Sequence, residues 1–430
     1  MRATRKIILL AVTLLLSITL ASAEEVTLTL DEAVAIALRD NPDILISTQG
    51  VIKAKAQVKE AWSEILPSLN FSASRFITQN LRPKPYNTTQ IYAGLQQMIF
   101  SSGRIMNTIK YREYGKEVQQ ALLDKTKLDK TLEVKKAFCT LILARDLARI
   151  NKDIVDNMQQ HLEFLEDRYK SGQASESDTL DVQASLSSVK KEYEISVNQA
   201  ESSESLLKKL LNMEESVTIK PEGEFVYEEM EVVYDKAILE AMSRRPEIKQ
   251  YEAQIKANKK AVNVARAGGL PSIYATWDEY SGDRFLTETG GSTNKWKNYN
   301  VYGFVFSWPV FDGFATKAKI EQAMVDLKEA ELTRQKTARD IAFEVKTSYL
   351  SLKDAIFRIE SSEADIRLYE NNLSTVKDKF QDGITSSLDL SDANLRYQLA
   401  LFNKEQALYD YIIAKSAFEK ATGGIYASAK

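Results

Sequence analysis

Residues 341–383, IAFEVKTSYLSLKDAIFRIESSEADIRLYENNLSTVKDKFQDG, decide the fold. Ile341, Val345, Ser348, Leu352, Ile356, Ile359, Glu363, Ile366, Tyr369, Leu373, Val376 and Phe380 recur at steps of three and four, the spacing of one helix face. The helical pattern starts just past Gly313, turns at Gly383, and returns through Leu395, Leu399, Phe402, Gln406, Tyr409, Ile413 and Ser416 to Gly423. At ~1.5 Å per residue, a rising arm of about 65 residues is on the order of 100 Å long. No ordinary globular domain is that tall.

At the other end of the chain, Arg2, Arg5 and Lys6 precede the apolar run Ile7 to Leu16, and Ala21-Ser22-Ala23 closes it. This predicts a secretory signal peptide over 1–23 and a mature chain from Glu24. The run is too short for a spanning helix, and no later stretch approaches 18 consecutive apolar residues, so any membrane contact has to be made without helices. No cysteine near the cleavage point offers a site for a lipid anchor.

Losing the three positive charges of the leader takes the formal charge from -3 to -6, spread along helix faces with no basic block. That argues against a nucleic-acid partner. His161 and Cys139 are the single histidine and cysteine, and no phosphate-loop glycine pattern occurs. His161 falls on or beside the stripe Leu147, Ile150, Ile154, Met158, Leu162, Leu165 and reads as a packing or solvent-edge residue, Cys139 as a small buried one. The inventory points away from an enzyme, a cofactor or a metal site.

The chain is a tandem duplication. Asp31 to Leu38 followed by Asn41-Pro42-Asp43-Ile44 returns as Asp235 to Met242 followed by Arg245-Pro246-Glu247-Ile248, and Leu66-Pro67-Ser68-Leu69 returns as Leu270-Pro271-Ser272-Ile273, each 204 positions on. Past those prolines the period changes to two. Tyr302, Phe304, Phe306 and Trp308 alternate with Val301, Gly303, Val305 and Ser307, and Ile91, Ala93, Leu95 and Gln97 do so with Tyr92, Gly94, Gln96 and Met98. These are strands of about ten residues, each with an earlier partner near Leu69 to Thr78 and Ile273 to Tyr280. Afterwards the offset is 211, as in Phe100 with Phe311, Gly172 with Gly383 and Asp181 with Asp392, so the second hairpin is longer, most simply in its loop Gly282 to Asn298.

The expected organisation is a first repeat over 24–214, with short helices, a β-hairpin at about 68–100, a long helix 101–170 and a return helix 175–212. The second, over 215–430, has its hairpin at about 272–311, long helix 314–382 and return helix 386–422. Met213 to Tyr234 adds some extended structure between them. Four strands cannot close a barrel, because small closed barrels need about eight. Two copies give eight strands and an interior filled by side chains; three give twelve and room for a lumen.

The doubled order of short helix, Asn-Pro or Arg-Pro step, Leu-Pro-Ser-Leu or Leu-Pro-Ser-Ile entering a strand, Trp308-Pro309-Val310-Phe311-Asp312-Gly313 leaving one, and Leu388-Asp389-Leu390-Ser391-Asp392-Ala393 after a glycine tip resembles the TolC-type outer-membrane efflux protein family over essentially the whole mature chain. The resemblance implies an α+β membrane protein: a long α-helical coiled-coil barrel plus a transmembrane β-barrel built from four strands per protomer in a homotrimer. It implies a Gram-negative outer-membrane location with a periplasmic helical tunnel, and recruitment by a periplasmic adaptor and an inner-membrane pump. The chain itself would be a passive duct for small molecules. Tyr302, Phe304, Phe306 and Trp308 would face lipid; Gln97, matching Trp308, departs from that apolar face and is expected at the barrel rim.

Each tip repeats a pattern, Arg168 to Asp178 and Lys379 to Asp389, with Gly172 and Gly383 ending the rising helices. Ser175 with Asp178, and Ser386 with Asp389, fit a capping box that accounts for the first aspartate of each pair; Asp181 and Asp392 lack that explanation. The resemblance carries the periplasmic constriction onto Asp389 and Asp392, six carboxylates around a threefold axis. Phe380 and Thr385 stand where family members can carry a Tyr and an Arg that tie the closed tip. Gly172, Ser175, Gly383 and Ser386 are the expected adaptor-docking positions, small enough for another hairpin to approach. Type I protein secretion and metal-cation efflux stay open within this class. A periplasmic coiled-coil scaffold stands outside it, and has no need of lipid-length aromatic strands.

Overall fold

The Pro-initiated helices and alternating strands come in matched lengths, copy against copy. A computed structural model describes residues 25–78, 86–172, 175–223, 227, 230, 232–282, 285–286, 292–293, 296–382, 384–385 and 387–424. The expected signal peptide, Gly383 and Ser386 lie outside the described residues. The first copy runs β1 (Glu25–Leu28), α1 (Leu30–Asp40), α2 (Pro42–Ser63), β2 (Ser68–Thr78), β3 (Tyr86–Phe100), α3 (Arg104–Lys170) and α4 (Glu176–Leu211). The second runs β4 (Thr218–Pro221), α5 (Tyr234–Arg244), α6 (Pro246–Ala267), β5 (Ser272–Gly282), β6 (Phe285–Leu286), β7 (Ser292–Thr293), β8 (Lys297–Ser307), α7 (Ala315–Gln381) and α8 (Ser387–Thr422). α3 and α7 have 67 residues each, and α4 and α8 have 36 each.

Local chemistry explains the boundaries. Thr29 and Glu32 form a capping box that starts α1. At the Asn-Pro step, Asn41 is buried; its Oδ1 accepts from Asp43 N at 3.0 Å and its Nδ2 donates to Leu210 O at 2.8 Å. At the Arg-Pro step no side chain caps α6, and Arg245 instead grips Glu247 through Nε and Nη2 at 3.0 and 2.9 Å. The turn from strand to long helix takes two consecutive left-handed residues in each copy, Ser102 and Gly103, then Gly313 and Phe314.

The compact units cut across the repeats. One comprises 46–125 and 243–340, and holds a four-stranded antiparallel sheet in the order β2-β3-β5-β8. Its register sorts the side chains into two faces. Ser68, Asn70, Ser72, Gln90, Tyr92, Gly94, Gln96, Thr276, Asp278, Tyr280 and Tyr299 share one with Phe76, Val301 and Val305; Leu69, Phe71, Ile91, Leu95, Ile273, Trp277, Tyr302, Phe304 and Phe306 share the other with Arg75, Glu279, Asn298 and Asn300. β3 is fifteen residues long, longer than its pattern suggests, and shifts register between Met98 and Phe100 as it leaves the sheet. Contacts run α2 to α3 (Ala61 against Ile105 and Ile109), α3 to α6 (Tyr114 ring to Lys256) and α6 to α7 (Glu252 to Arg334, 2.9 Å), following the strand order.

The other unit comprises 1–45, 126–242 and 341–430. The stretch between the copies supplies β4, which pairs in parallel with β1. Leu28, Ala33, Ala37, Val134, Phe138, Leu141, Leu207, Leu211 and Ile219 pack there as one core from β1, α1, α3, α4 and β4. Beside it a polar tie closes α4 on α3: Glu204 receives Arg145 Nη2 at 2.6 Å, Lys208 Nζ at 3.2 Å and the Ile219 N–H at 3.0 Å. Burial pushes the Glu204 carboxyl up, but these three donors outweigh it and hold it below its ordinary range. The helices neighbour in the order α4-α3-α8-α7, through Arg145 with Glu204, Thr140 with Tyr409, and Arg358 with Asp410.

The α8 seam differs from its hydropathy pattern. Ala393, Ala400, Ala407, Ala414 and Ala421 are buried at strict seven-residue spacing, while Leu395 is half-buried and Leu399 exposed. The small side chains let α8 sit close to its neighbours, and Tyr411 and Phe418, four residues after Ala407 and Ala414, fill the second buried row near its end. On α7, Ile341, Val345, Ser348, Leu352 and Ile359 are buried, and burial fades through Ile366 and Leu373 toward Phe380.

Candidate functional site

At the first tip, α3 runs out at Lys170, and Gly172 adopts φ +74° with its N–H donated to Tyr169 O at 2.9 Å. That conformation costs most L-residues and is free for glycine. Ser175 is exposed immediately before α4, at the N-cap position. At the second tip, Ile384 N donates to Lys379 O at 2.8 Å, the six-to-one bond that closes a Schellman turn. Gly383 and Ser386, expected from the sequence to receive an adaptor, lie outside the described residues.

Asp389 and Asp392 are both exposed in the first turns of α8. Asp392 has a partner that its own sequence neighbourhood supplied: Arg396 Nε donates to Oδ2 at 2.9 Å, one turn on. This i,i+4 pair gives the second aspartate the local rationale that capping could not. The Asp-x-x-x-Arg spacing was the signal for it.

Phe380 and Thr385 occupy different settings. Phe380 lines a cleft of about 540 Å³ with His161, Phe164, Leu373, Lys377, Leu390 and Asn394, a mostly apolar groove between α3, α7 and α8. His161 is half-buried there, at an edge and not in a core. Thr385 is partly buried, and its Oγ1 has no hydrogen-bond partner among the described residues. A buried hydroxyl left unmatched asks for an acceptor or donor from elsewhere.

In the other unit, Tyr302 and Phe304 are 78% and 79% exposed, with Phe306 and Trp308 also exposed. They continue the apolar face begun by Leu69, Phe71 and Trp277, all likewise exposed. The strand ends show why Gln97 replaces a tryptophan. Gln97 Nε2 donates to Ile65 O at 2.6 Å and to Met98 O at 3.0 Å, and Trp308 Nε1 donates to Gly269 O at 3.3 Å. Ile65 and Gly269 are repeat equivalents, so amide and indole do the same job of tying a strand end to the helix that precedes its hairpin. A shared N–H donor links the two residues where hydropathy separates them.

Among the described residues no group of three or more His, Cys, Asp or Glu could hold a metal ion, and no helix is long and apolar enough to cross a membrane. The sheet leaves β2 and β8 as edges with no second partner strand among the described residues, and one face gathers Leu69, Phe71, Trp277, Tyr302, Phe304 and Phe306 beside Arg75 and Glu279, so the class is that of a strand-built membrane segment joined to long helices.

The chain belongs to the outer membrane efflux protein family, whose model matches residues 33–213 and 237–424, one match to each repeat. The pyoverdine export outer membrane protein OpmQ of Pseudomonas aeruginosa is 23% identical over 88% of this chain and 79% of its own length. The probable outer membrane lipoprotein SilC of Salmonella typhimurium is 21% identical over 89% and 82%. The crystal structure of the Campylobacter jejuni CmeC outer membrane channel superposes with a TM-score of 0.80 at 20% identity, covering 92% of this chain and 85% of that one. The open state of the Neisseria gonorrhoeae MtrE outer membrane channel gives 0.74 at 17% identity, with 92% and 89% covered. The protein is an outer-membrane efflux channel of Gram-negative type, and adaptor and pump partners come with the family.

Proposed function

We propose that three copies close into one duct, with β8 of each pairing to β2 of the next, giving a twelve-strand barrel in the outer membrane and a helical tunnel in the periplasm. The observation that carries this reading is the sheet itself: four strands, edges at β2 and β8 with no further partner strand among the described residues, and a face on which the exposed Leu69, Phe71, Trp277, Tyr302, Phe304 and Phe306 outnumber the charged Arg75 and Glu279. Strands β2, β5 and β8 have 11 residues each, the length that crosses a bilayer at a tilt. A head-to-tail contact whose rotation closes makes a ring, and a ring leaves no edge.

In this assembly Tyr302, Phe304, Phe306 and Trp308 meet lipid. Asp389 and Asp392 form the periplasmic gate, with Asp392 partly neutralised by Arg396, and the Thr385 hydroxyl finds its missing partner across the closed tip beside Phe380. Gly172, Ser175, Gly383 and Ser386 receive the adaptor hairpin. The cargo is a small molecule chosen by the pump, a reading supported by the pyoverdine export named for the Pseudomonas relative.

Conductance of the purified protein in planar bilayers tests the reading. Channels are expected, with cation preference and divalent-ion block that weaken when Asp389 and Asp392 are both changed to Asn. No channels under any condition would overturn the duct, and channels indifferent to both substitutions would overturn the gate.

A further inference from the structure

The polar face of the sheet carries a feature that neither the gate nor the tips account for. Tyr92, Tyr280 and Tyr299 are register partners across β3, β5 and β8. Their rings form a ladder, with centroids 5.1 Å apart and tilted for Tyr92 and Tyr280, and 5.0 Å apart and stacked for Tyr280 and Tyr299. Tyr92 is held in place: its hydroxyl donates to Asp278 Oδ1 at 2.7 Å, and its ring lies over Gly94, in the space a Cβ at that position would need. Asp278 stands one strand step from Tyr280 on the same face, between Gly94 and Val301. Apart from Lys297 at the loop end of β8, it is the one charged side chain that the paired strands place on this face.

We infer that Asp278 with Tyr92, Tyr280 and Tyr299 forms a binding girdle for organic cations inside the barrel, a second cation-selecting level separate from the acidic pair at the tips. The inference rests on the duct reading, which turns this face toward the lumen and repeats the girdle three times at one height. The Tyr92 hydrogen bond occupies one carboxylate oxygen and leaves the other for a passing charge. Phenol rings offer their negative faces to alkylammonium and aromatic cations, which bind through dispersion and cation–π attraction where a hydrated potassium ion gains only the carboxylate's charge. The four residues therefore have separable signatures. Asp278 sets cation-over-anion preference, and the tyrosines set retention of bulky organic cations.

The experiment uses the full-length protein in planar bilayers, with Asp389→Asn and Asp392→Asn as the background so that the tip carboxylates do not mask the barrel. Reversal potentials in a potassium chloride gradient are measured together with block by tetrabutylammonium. Adding Asp278→Asn, which keeps an acceptor for Tyr92, is expected to lower the potassium-to-chloride permeability ratio about fivefold, and Asp278→Glu to retain it. Tyr299→Leu is expected to leave that ratio unchanged while raising the half-blocking concentration of tetrabutylammonium about fivefold. Channels whose ratio and block are the same in all variants overturn the girdle and leave the duct standing. If the background protein forms no channels while the unsubstituted protein does, the same two measurements are made with Asp278→Asn and Tyr299→Leu alone, under the same criteria. If the unsubstituted protein forms none, the duct falls and the girdle with it.

Discussion

α3 and α7 are repeat equivalents of equal length, yet they live in different surroundings. In the unit that holds residues 126–242 and 341–430, α3 has a neighbour on each side, α4 and α8, and buries Val134, Phe138, Leu141 and Ile150. α7 has α8 on one side, meets the start of α5 through Tyr349 and Lys346 against the Tyr234 ring, and turns Phe343, Leu350, Phe357 and Leu368 outward, Phe343 and Phe357 at 70% exposure. Three of those four stand seven residues apart, the spacing of a coiled-coil seam. α4 at the opposite edge exposes Leu180, Ile195 and Leu206. Duplication gave two similar helices, and position in the layer made one of them core and left the other with an exposed apolar row.

The largest expected effect breaks that exposed row. Changing Phe343 and Phe357 together to Glu removes about 1.5–3 kcal/mol of burial per ring at each of three contacts. Light scattering in detergent should then report protomers in place of trimers, while helical circular dichroism keeps its intensity. A persistent trimer would show that α7 is not an interface. On the inner helix, Phe138→Ala should act within the protomer and lower its stability by about 3–5 kcal/mol in denaturant titration, because the ring is 2% exposed in a filled core. A loss below about 1 kcal/mol would mean that α3 packs no more tightly than α7.

The polar tie on α3 gives a smaller, pH-dependent effect. Glu204→Gln leaves Lys208 and Arg145 short of a charge and should cost about 1.5–3 kcal/mol near neutrality. The wild-type carboxyl is held below its ordinary 4.5, so its stabilisation is present above that value and is lost as pH falls through the depressed one. The two proteins should therefore converge in melting temperature on acidification. A constant gap would refute the tie.

The smallest effect has the opposite sign. Glu405 on α8 meets α3 with a buried Oε2 that has no hydrogen-bond partner among the described residues; burial first, and Asp146 second, push its carboxyl up against the opposing pull of Arg149. Protonation favours the folded chain here, so this contribution is present at low pH and is lost as pH rises from 4.5 through the raised value. Glu405→Gln mimics the protonated form and should raise the melting temperature at pH 7 by a few degrees, with little change near pH 4. Equal shifts at both pH values would point to a cause other than charge.

Periodicity exposed the long helices, the duplication and the alternating strands, because each rests on a repeat that one chain displays without reference to another. Hydropathy failed where another property decided. The α8 seam runs through alanines, which a search for large apolar residues passes over, and its Leu399 is exposed. Gln97 looked misplaced on an apolar face until its amide was seen to do what the Trp308 indole does. Asp392 resisted explanation because capping logic looks toward the helix start, whereas its partner Arg396 lies one turn inward. Cys139 followed composition, buried so fully that its thiol is pushed up to about 12.

By itself the sequence determined what depends on local spacing: where helices begin and end, that the architecture is written twice, and which β8 side chains share a face with Trp308. Tertiary structure alone decided which copy of each element becomes core and which becomes edge. Helices with the same period and length cannot tell from their own residues whether a neighbour stands on one side or two. It also decided the pairing of Tyr92, Tyr280 and Tyr299 with Asp278, since those residues lie up to 207 positions apart and meet only through the register of three strands.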